Sequence, residues 1–333
     1  MSVAYLPHPT WQDALSDLVT DPEEVLSLLQ LDRALLPDLK KAAEYFPLRI
    51  PRYFLERIEK GNFHDPLLQQ VLPSGLELNE VTGYSADPLE ESSKNPIPGL
   101  LHKYPSRVLI TLTNACAVHC RYCFRKNFPY ADNNPGKVGL EKIFTYLAAH
   151  PDVNEVILSG GDPLATNDKM LQHVFEGISA ISTIKRLRIH TRLPIVLPQR
   201  ITPAFITILS SIKLPVIMVV HCNHPREISH EVVFAFQQLR EAKVILLNQN
   251  VLLKGVNDNA VILAELSEAL FAAGVMPYYL HVLDKVAGTA HFDLPEDAAL
   301  QIYQELNTLL PGYLVPKLVR EEPGMLSKTL IGV

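Results

Sequence analysis

Arg107 to Cys123 reads RVLITLTNACAVHCRYC, a β-branched and leucine-rich run that breaks at Asn114 and passes straight into three cysteines. The run has strand character. Cys116, Cys120 and Cys123 stand in the spacing C-x3-C-x2-C, so one loop after one strand can wrap three thiolates round a small metal centre. Soft thiolates select zinc or iron–sulfur clusters, but a structural zinc site normally takes four ligands and this motif supplies three. A cluster held this way keeps one iron open. Only one further cysteine, Cys222, occurs among the four in the chain, and its place at a strand end suits a small apolar packing role. Clustered cysteines of this kind fit a metal site in a reducing compartment better than a disulfide framework.

Five more runs of the same character follow: EVILSG (155–160), RLRIHT (186–191), PVIMVVH (215–221), VILLNQNVLL (244–253) and PYYLHVLD (277–284). Helix-length stretches such as Glu227–Ala242 and Ala260–Ala273 separate them, and each run is apolar enough for a buried parallel strand. The pattern predicts an α/β fold, a partial (βα)6 TIM-like barrel over residues 101–312. Residues 1–100 form a helical N-terminal extension, with helices expected over Trp11–Leu18 and Pro22–Leu31, the latter capped by Asp21 with Pro22 in its first turn. Residues 313–333 are left as a C-terminal segment. Polar groups collect where the strands end, among them Gly160-Gly161-Asp162, His190-Thr191-Arg192, Asn248-Gln249-Asn250, and His281 with Asp284. In parallel barrels that rim is where active sites form.

Composition narrows the function. Hydrophobic residues at 47% against charged residues at 20% describe a chain that packs a core. Thirty basic residues against 36 acidic, a formal charge of −6 and no basic run argue against nucleic acid as a direct ligand. No apolar stretch of about 18 residues occurs and the start lacks a basic-then-apolar signal, so a cytoplasmic protein without membrane contact is expected.

With an aromatic residue, Tyr122, just before its last cysteine, the 116–123 motif resembles that of the radical S-adenosylmethionine superfamily. From Asp65-Pro66-Leu67 to the C-terminus the chain is similar to the lysine 2,3-aminomutases. The resemblance implies that Cys116, Cys120 and Cys123 hold a [4Fe–4S] cluster. Its open iron would chelate S-adenosylmethionine, and electron transfer would yield a 5′-deoxyadenosyl radical. Ser159, Gly160, Gly161 and Asp162 read by themselves as a strand-to-helix turn with Asp162 as a cap, or as glycines that admit a ligand to the backbone; the resemblance makes them part of the S-adenosylmethionine site. It further implies that Lys328 holds pyridoxal 5′-phosphate as a Schiff base, and that Arg107, with Tyr104 and Lys103 as neighbours, binds its phosphate. By itself Arg107 reads equally as a rim salt bridge. Arg125 would grip the substrate carboxylate, while Asp284 and Glu321 would receive its distal ammonium. Taken alone, Asp284 is a turn residue and Glu321 surface charge. The turn before Lys328, Pro323-Gly324-Met325-Leu326-Ser327, departs from the family's glycine-only form, and a glutamate stands at 321 in place of aspartate.

The activity implied is an isomerase reaction, L-lysine to (R)-β-lysine. The resemblance is strongest to the branch that supplies β-lysine for modification of elongation factor P, and an end at Val333, just past the cofactor lysine, agrees with that branch. Partners implied are L-lysine, an electron donor of flavodoxin or ferredoxin type, and elongation factor P with its lysyl ligase. A catabolic or osmolyte-producing aminomutase is the alternative enzyme, and a non-catalytic metal-binding barrel the alternative of another class.

Overall fold

The computed structural model describes residues 10–332. The first nine residues and Val333, which belong to the expected N-terminal extension and C-terminal segment, lie outside the described residues. All six β-branched runs are strands. In chain order the strands are β1 (Leu100–Tyr104), β2 (Arg107–Thr113), β3 (Glu155–Gly160), β4 (Arg186–Thr191), β5 (Val216–Val220), β6 (Ile245–Val251), β7 (Met276–His281), β8 (Lys317–Arg320) and β9 (Thr329–Leu330). They hydrogen-bond in that same order, with β2 to β8 parallel and β1 and β9 added antiparallel at the two edges. Helices over Gly136–Ala149, Asp168–Ser179, Pro203–Ser211, His230–Glu241, Ala260–Ala272 and Glu296–Leu309 make the return crossings, as parallel pairing requires. Six βα units therefore form an open barrel.

The C-terminal segment extends the sheet: Leu318 and Val319 are buried and β8 pairs with β7 as a seventh parallel strand. Four residues behind Pro316 are too short a run to show as a strand by periodicity. One expectation needs correction, for the strands are not apolar on both faces. Val156, Leu158, Leu187, Ile189, Met218 and Val220 pack into the core, whereas the alternate positions, including Glu155, Ser159, Arg188, His190, Gln249 and His281, line an internal cavity. Strand alternation divides each strand between oil and a polar interior.

Both expected N-terminal helices form, the first over Trp11–Ser16, short of Leu18, and the second where its cap predicts. Asp21 accepts from the Glu23 amide at 2.9 Å and opens a helix over Pro22–Leu28, which stops short of Leu31 as Gln30 turns left-handed at φ 55°. Thr10 and Asp13 close a capping box on the helix Trp11–Ser16. Residues 42–77 then pass beneath the cysteine loop. No helix among the described residues is long and apolar enough to cross a membrane.

Candidate active site and metal centre

The cysteine loop leaves β2 and is tied down by the protein itself. The Gly161 amide donates to the Thr113 carbonyl at 2.9 Å and the Asp162 amide to the Ala115 carbonyl at 2.8 Å. From below, the Arg121 amide donates to the Gln70 carbonyl and the His119 amide to that of Arg49. Arg121 and Glu77 form a fully buried ion pair with Nη2 and Oε2 2.6 Å apart, and breaking such a pair costs about 3–5 kcal/mol. The N-terminal extension is thus the floor of the loop.

Cys116, Cys120 and Cys123 all border the cavity. Burial, followed by the Asp162 carboxylate and the other thiols, pushes the Cys116 thiol well up, and burial beside Cys120 takes Cys123 to about 11. Metal binding at these two would release protons. Among the described residues no three His, Cys, Asp or Glu side chains meet the geometry of a single ion. In an iron–sulfur cluster each thiolate takes its own iron. His119, which lies inside the cysteine motif, stacks on Phe46 and holds the Pro47 carbonyl through Nδ1 at 2.7 Å. Cys222 is fully buried, as its packing role required, with Sγ against the His224 carbonyl.

Arg192, at the end of β4, reaches the loop. Its Nη1 lies 2.8 Å from Cys120 Sγ and 2.7 Å from the Tyr122 hydroxyl, and its Nη2 donates to Gln70 Oε1 and Glu227 Oε2. Gln70 and Glu227 therefore join the site from elements the cysteine motif does not announce.

The glycine turn is explained first by packing. A Cβ on Gly161 would lie 2.5 Å from the Ala115 carbonyl oxygen, and Gly160 adopts φ +107° against Thr111. Both glycines let β3 close on the cysteine loop, so the close approach they provide is to the protein's own backbone. The Asp162 carboxylate, which borders the cavity, accepts from Thr191 Oγ1 and from the amides of Leu164, Arg192 and Leu193. It is a cap and a latch between β3 and β4. The Ser159 hydroxyl accepts from Arg125 Nη1 at 3.2 Å.

At the far side of the cavity, β8 and β9 form a hairpin whose loop carries Glu321 at one end and Lys328 at the other. Lys328 Nζ and Glu321 Oε2 are 2.5 Å apart, and Lys103 Nζ approaches Glu321 Oε1 at the same distance. The bulky turn residues Met325 and Leu326 are exposed, so they leave the interior clear. Burial raises the Glu321 carboxyl, but Lys328 and Lys103 outweigh it and hold it far below the usual carboxylate range. Asp284, three residues past β7, is pushed up to about 7 by burial and by Glu321. Arg107 lies over the Tyr104 ring at 4.3 Å, and both border the cavity. Arg125 gives Nε and Nη2 to Glu91 at 2.7 and 2.8 Å. Glu91 had no sequence signal, for it comes from a one-turn helix in irregular, proline-punctuated chain.

One cavity of about 690 Å3 joins the three cysteines with Arg107, Arg125, Asp284, Glu321 and Lys328, a volume suited to cofactor-sized ligands. Inside it His190 and His281 keep Nε2 without a hydrogen-bond partner, and burial followed by the neighbouring cations holds both rings neutral. Orphaned polar atoms, an arginine stacked on a tyrosine and a lysine that shares the cavity with three thiols fit a site for a cluster and a phosphate-bearing cofactor.

An open parallel barrel with three cysteines after its first parallel strand defines an iron–sulfur enzyme, and the 4Fe-4S single cluster domain family matches residues 106–191. The chain is 52% identical over 321 residues to the L-lysine 2,3-aminomutase of Escherichia coli K12, covering 96% of this chain and 93% of that one. Against the enzymes of the same name from Haemophilus influenzae and Clostridium subterminale it is 48% and 35% identical, over 95% and 77% of their lengths and 96% of its own. The chain belongs to the L-lysine 2,3-aminomutase family. The stretch that the 4Fe-4S family model matches contains Cys116, Cys120 and Cys123.

Proposed function

We propose that the chain interconverts L-lysine and (R)-β-lysine, with the product serving modification of elongation factor P. The observation that carries the reading is the sharing of one cavity by Cys116, Cys120, Cys123 and Lys328. When bound, the cluster and S-adenosylmethionine supply a hydrogen-abstracting carbon radical, and pyridoxal phosphate supplies the conjugation through which an amino group moves between adjacent carbons. The chain's own residues do the rest. Cys116, Cys120 and Cys123 hold the cluster, while Ser159, Gly160 and Gly161 shape the turn beside it and Asp162 latches that turn to β4. Lys328 holds the pyridoxal aldehyde and Arg107, beside Tyr104, receives its phosphate by charge-assisted hydrogen bonds. Arg125 takes the substrate carboxylate. Asp284 and Glu321 receive the distal ammonium, which must displace a lysine of the chain from Glu321. The hairpin and the N-terminal floor exclude water and reductant from radical steps.

The units that follow from this reading are residues 1–100 as floor, 101–312 as barrel, and 313–333 as the strand and hairpin that carry Lys328. The greater identity to the enzymes of Escherichia coli and Haemophilus influenzae than to that of Clostridium subterminale is consistent with the elongation factor P branch. A flavodoxin- or ferredoxin-type donor in the cytoplasm would supply the electron. The test is anaerobic incubation of the reconstituted protein with dithionite, S-adenosylmethionine, pyridoxal phosphate and 15N-α-labelled lysine. β-Lysine carrying the label on its third carbon is expected. A fully reconstituted protein that returns only unchanged lysine overturns the reading.

A further inference from the structure

We infer that Glu91 is the positioning residue for the carboxylate end of the substrate site; this rests on Arg125 receiving the substrate carboxylate. Glu91 is 3% exposed, and both its oxygens are spent on the Nε and Nη2 edge of Arg125. Lys103 Nζ lies 3.4 Å from the same carboxylate. Burial raises the Glu91 carboxyl, yet Arg125 and Lys103 bring it below the usual range, so it stands as an anion. The backbone is arranged around it. Glu90 adopts a left-handed φ of 51°, a strained state for a residue with a side chain, and Asp87 caps the turn by accepting from the Glu91 and Ser92 amides.

A guanidinium has more than one hydrogen-bonding edge. With Nε and one side of Nη2 on Glu91, one Nη1 hydrogen on Ser159, and the Phe124 ring 4.8 Å from the carbon, Arg125 cannot rotate about its long stem. The remaining Nη1 and Nη2 hydrogens are what it offers to a carboxylate in the cavity that it lines. Glu91 thus sets which edge meets the substrate, and does so before the substrate arrives. The opposite arrangement, in which Glu91 occludes the site and leaves when substrate binds, makes a contrary prediction for the same variant.

The experiment measures equilibrium binding of L-lysine and of 1,5-diaminopentane, which is lysine without its carboxylate, to the holoenzyme without reductant. Wild type, Glu91→Gln and Glu91→Asp are compared. Loss of the charge is expected to weaken L-lysine about 10- to 100-fold and to leave the diamine unchanged, with Glu91→Asp in between. Tighter lysine binding in Glu91→Gln, or no change, overturns the inference. A loss shared equally by both ligands shows a merely structural role and overturns it too. Should wild type fail to prefer lysine over the diamine, the reading of Arg125 fails and the inference falls with it. If Glu91→Gln does not fold, Glu91→Asp alone decides, because its shorter carboxylate shifts the fork and must weaken lysine selectively.

Discussion

Glu321 and Lys328 face each other across the C-terminal hairpin, and the same carboxylate also takes Lys103. One acid thus holds two lysines of the chain in the place assigned to a third. Glu321→Gln is expected to weaken L-lysine by about 1.5–3 kcal/mol, since one charged hydrogen bond is lost, while bound pyridoxal stays. Titration of lysine against the cofactor absorbance checks it. Unaltered affinity would remove Glu321 from the ammonium site.

Cys120→Ala and Lys328→Ala should separate the two cofactors. The first is expected to lose iron–sulfur absorbance and all detectable turnover. The second should keep the cluster but carry no pyridoxal that borohydride can fix to the protein. Pyridoxal still fixed covalently in Lys328→Ala would place the attachment elsewhere.

Asp284, at about 7, sets a pH dependence. Its carboxyl is neutral below that pH and anionic above it, whereas a lysine ammonium stays charged throughout. Lysine affinity should therefore rise between pH 6 and 8, up to about tenfold, and Asp284→Asn should flatten the curve. In the ligand-free protein the sign for stability is opposite. The folded state keeps a proton that the unfolded chain releases near 3.8, so stability falls as pH rises from about 4 to 7. Asp284→Asn should remove that fall in a thermal-melt series.

Gly161→Ala places a methyl group into the Ala115 carbonyl. Overpacking of this kind costs about 1–3 kcal/mol, and here it displaces the cysteine loop, so iron content after reconstitution should drop. Gly312→Ala, where the same methyl meets nothing within 4 Å, is the control and should load normally. Equal loading in both variants would show that the turn does not hold the loop.

The strands were legible because each apolar run is bounded by turn residues, and β2, β3 and β4 match their expected limits residue for residue. The cysteine motif was legible because its ligands are local. Arg188, His190 and Gln249 were harder, since a polar residue in an apolar run says nothing about which face becomes a cavity until the sheet curls. Gln70, Glu77 and Glu91 carried no signal at all. They come from the N-terminal extension, where short turns leave no periodicity, and only tertiary packing brings them to Tyr122, Arg121 and Arg125.

The loop from Cys116 to Cys123 is pinned above and below by amide, carbonyl and guanidinium contacts that involve no metal. The spacing of the three thiols is therefore set partly from a distance: a methyl group at Gly161 or a lost charge at Glu77 would reach the metal ligands without touching any of them.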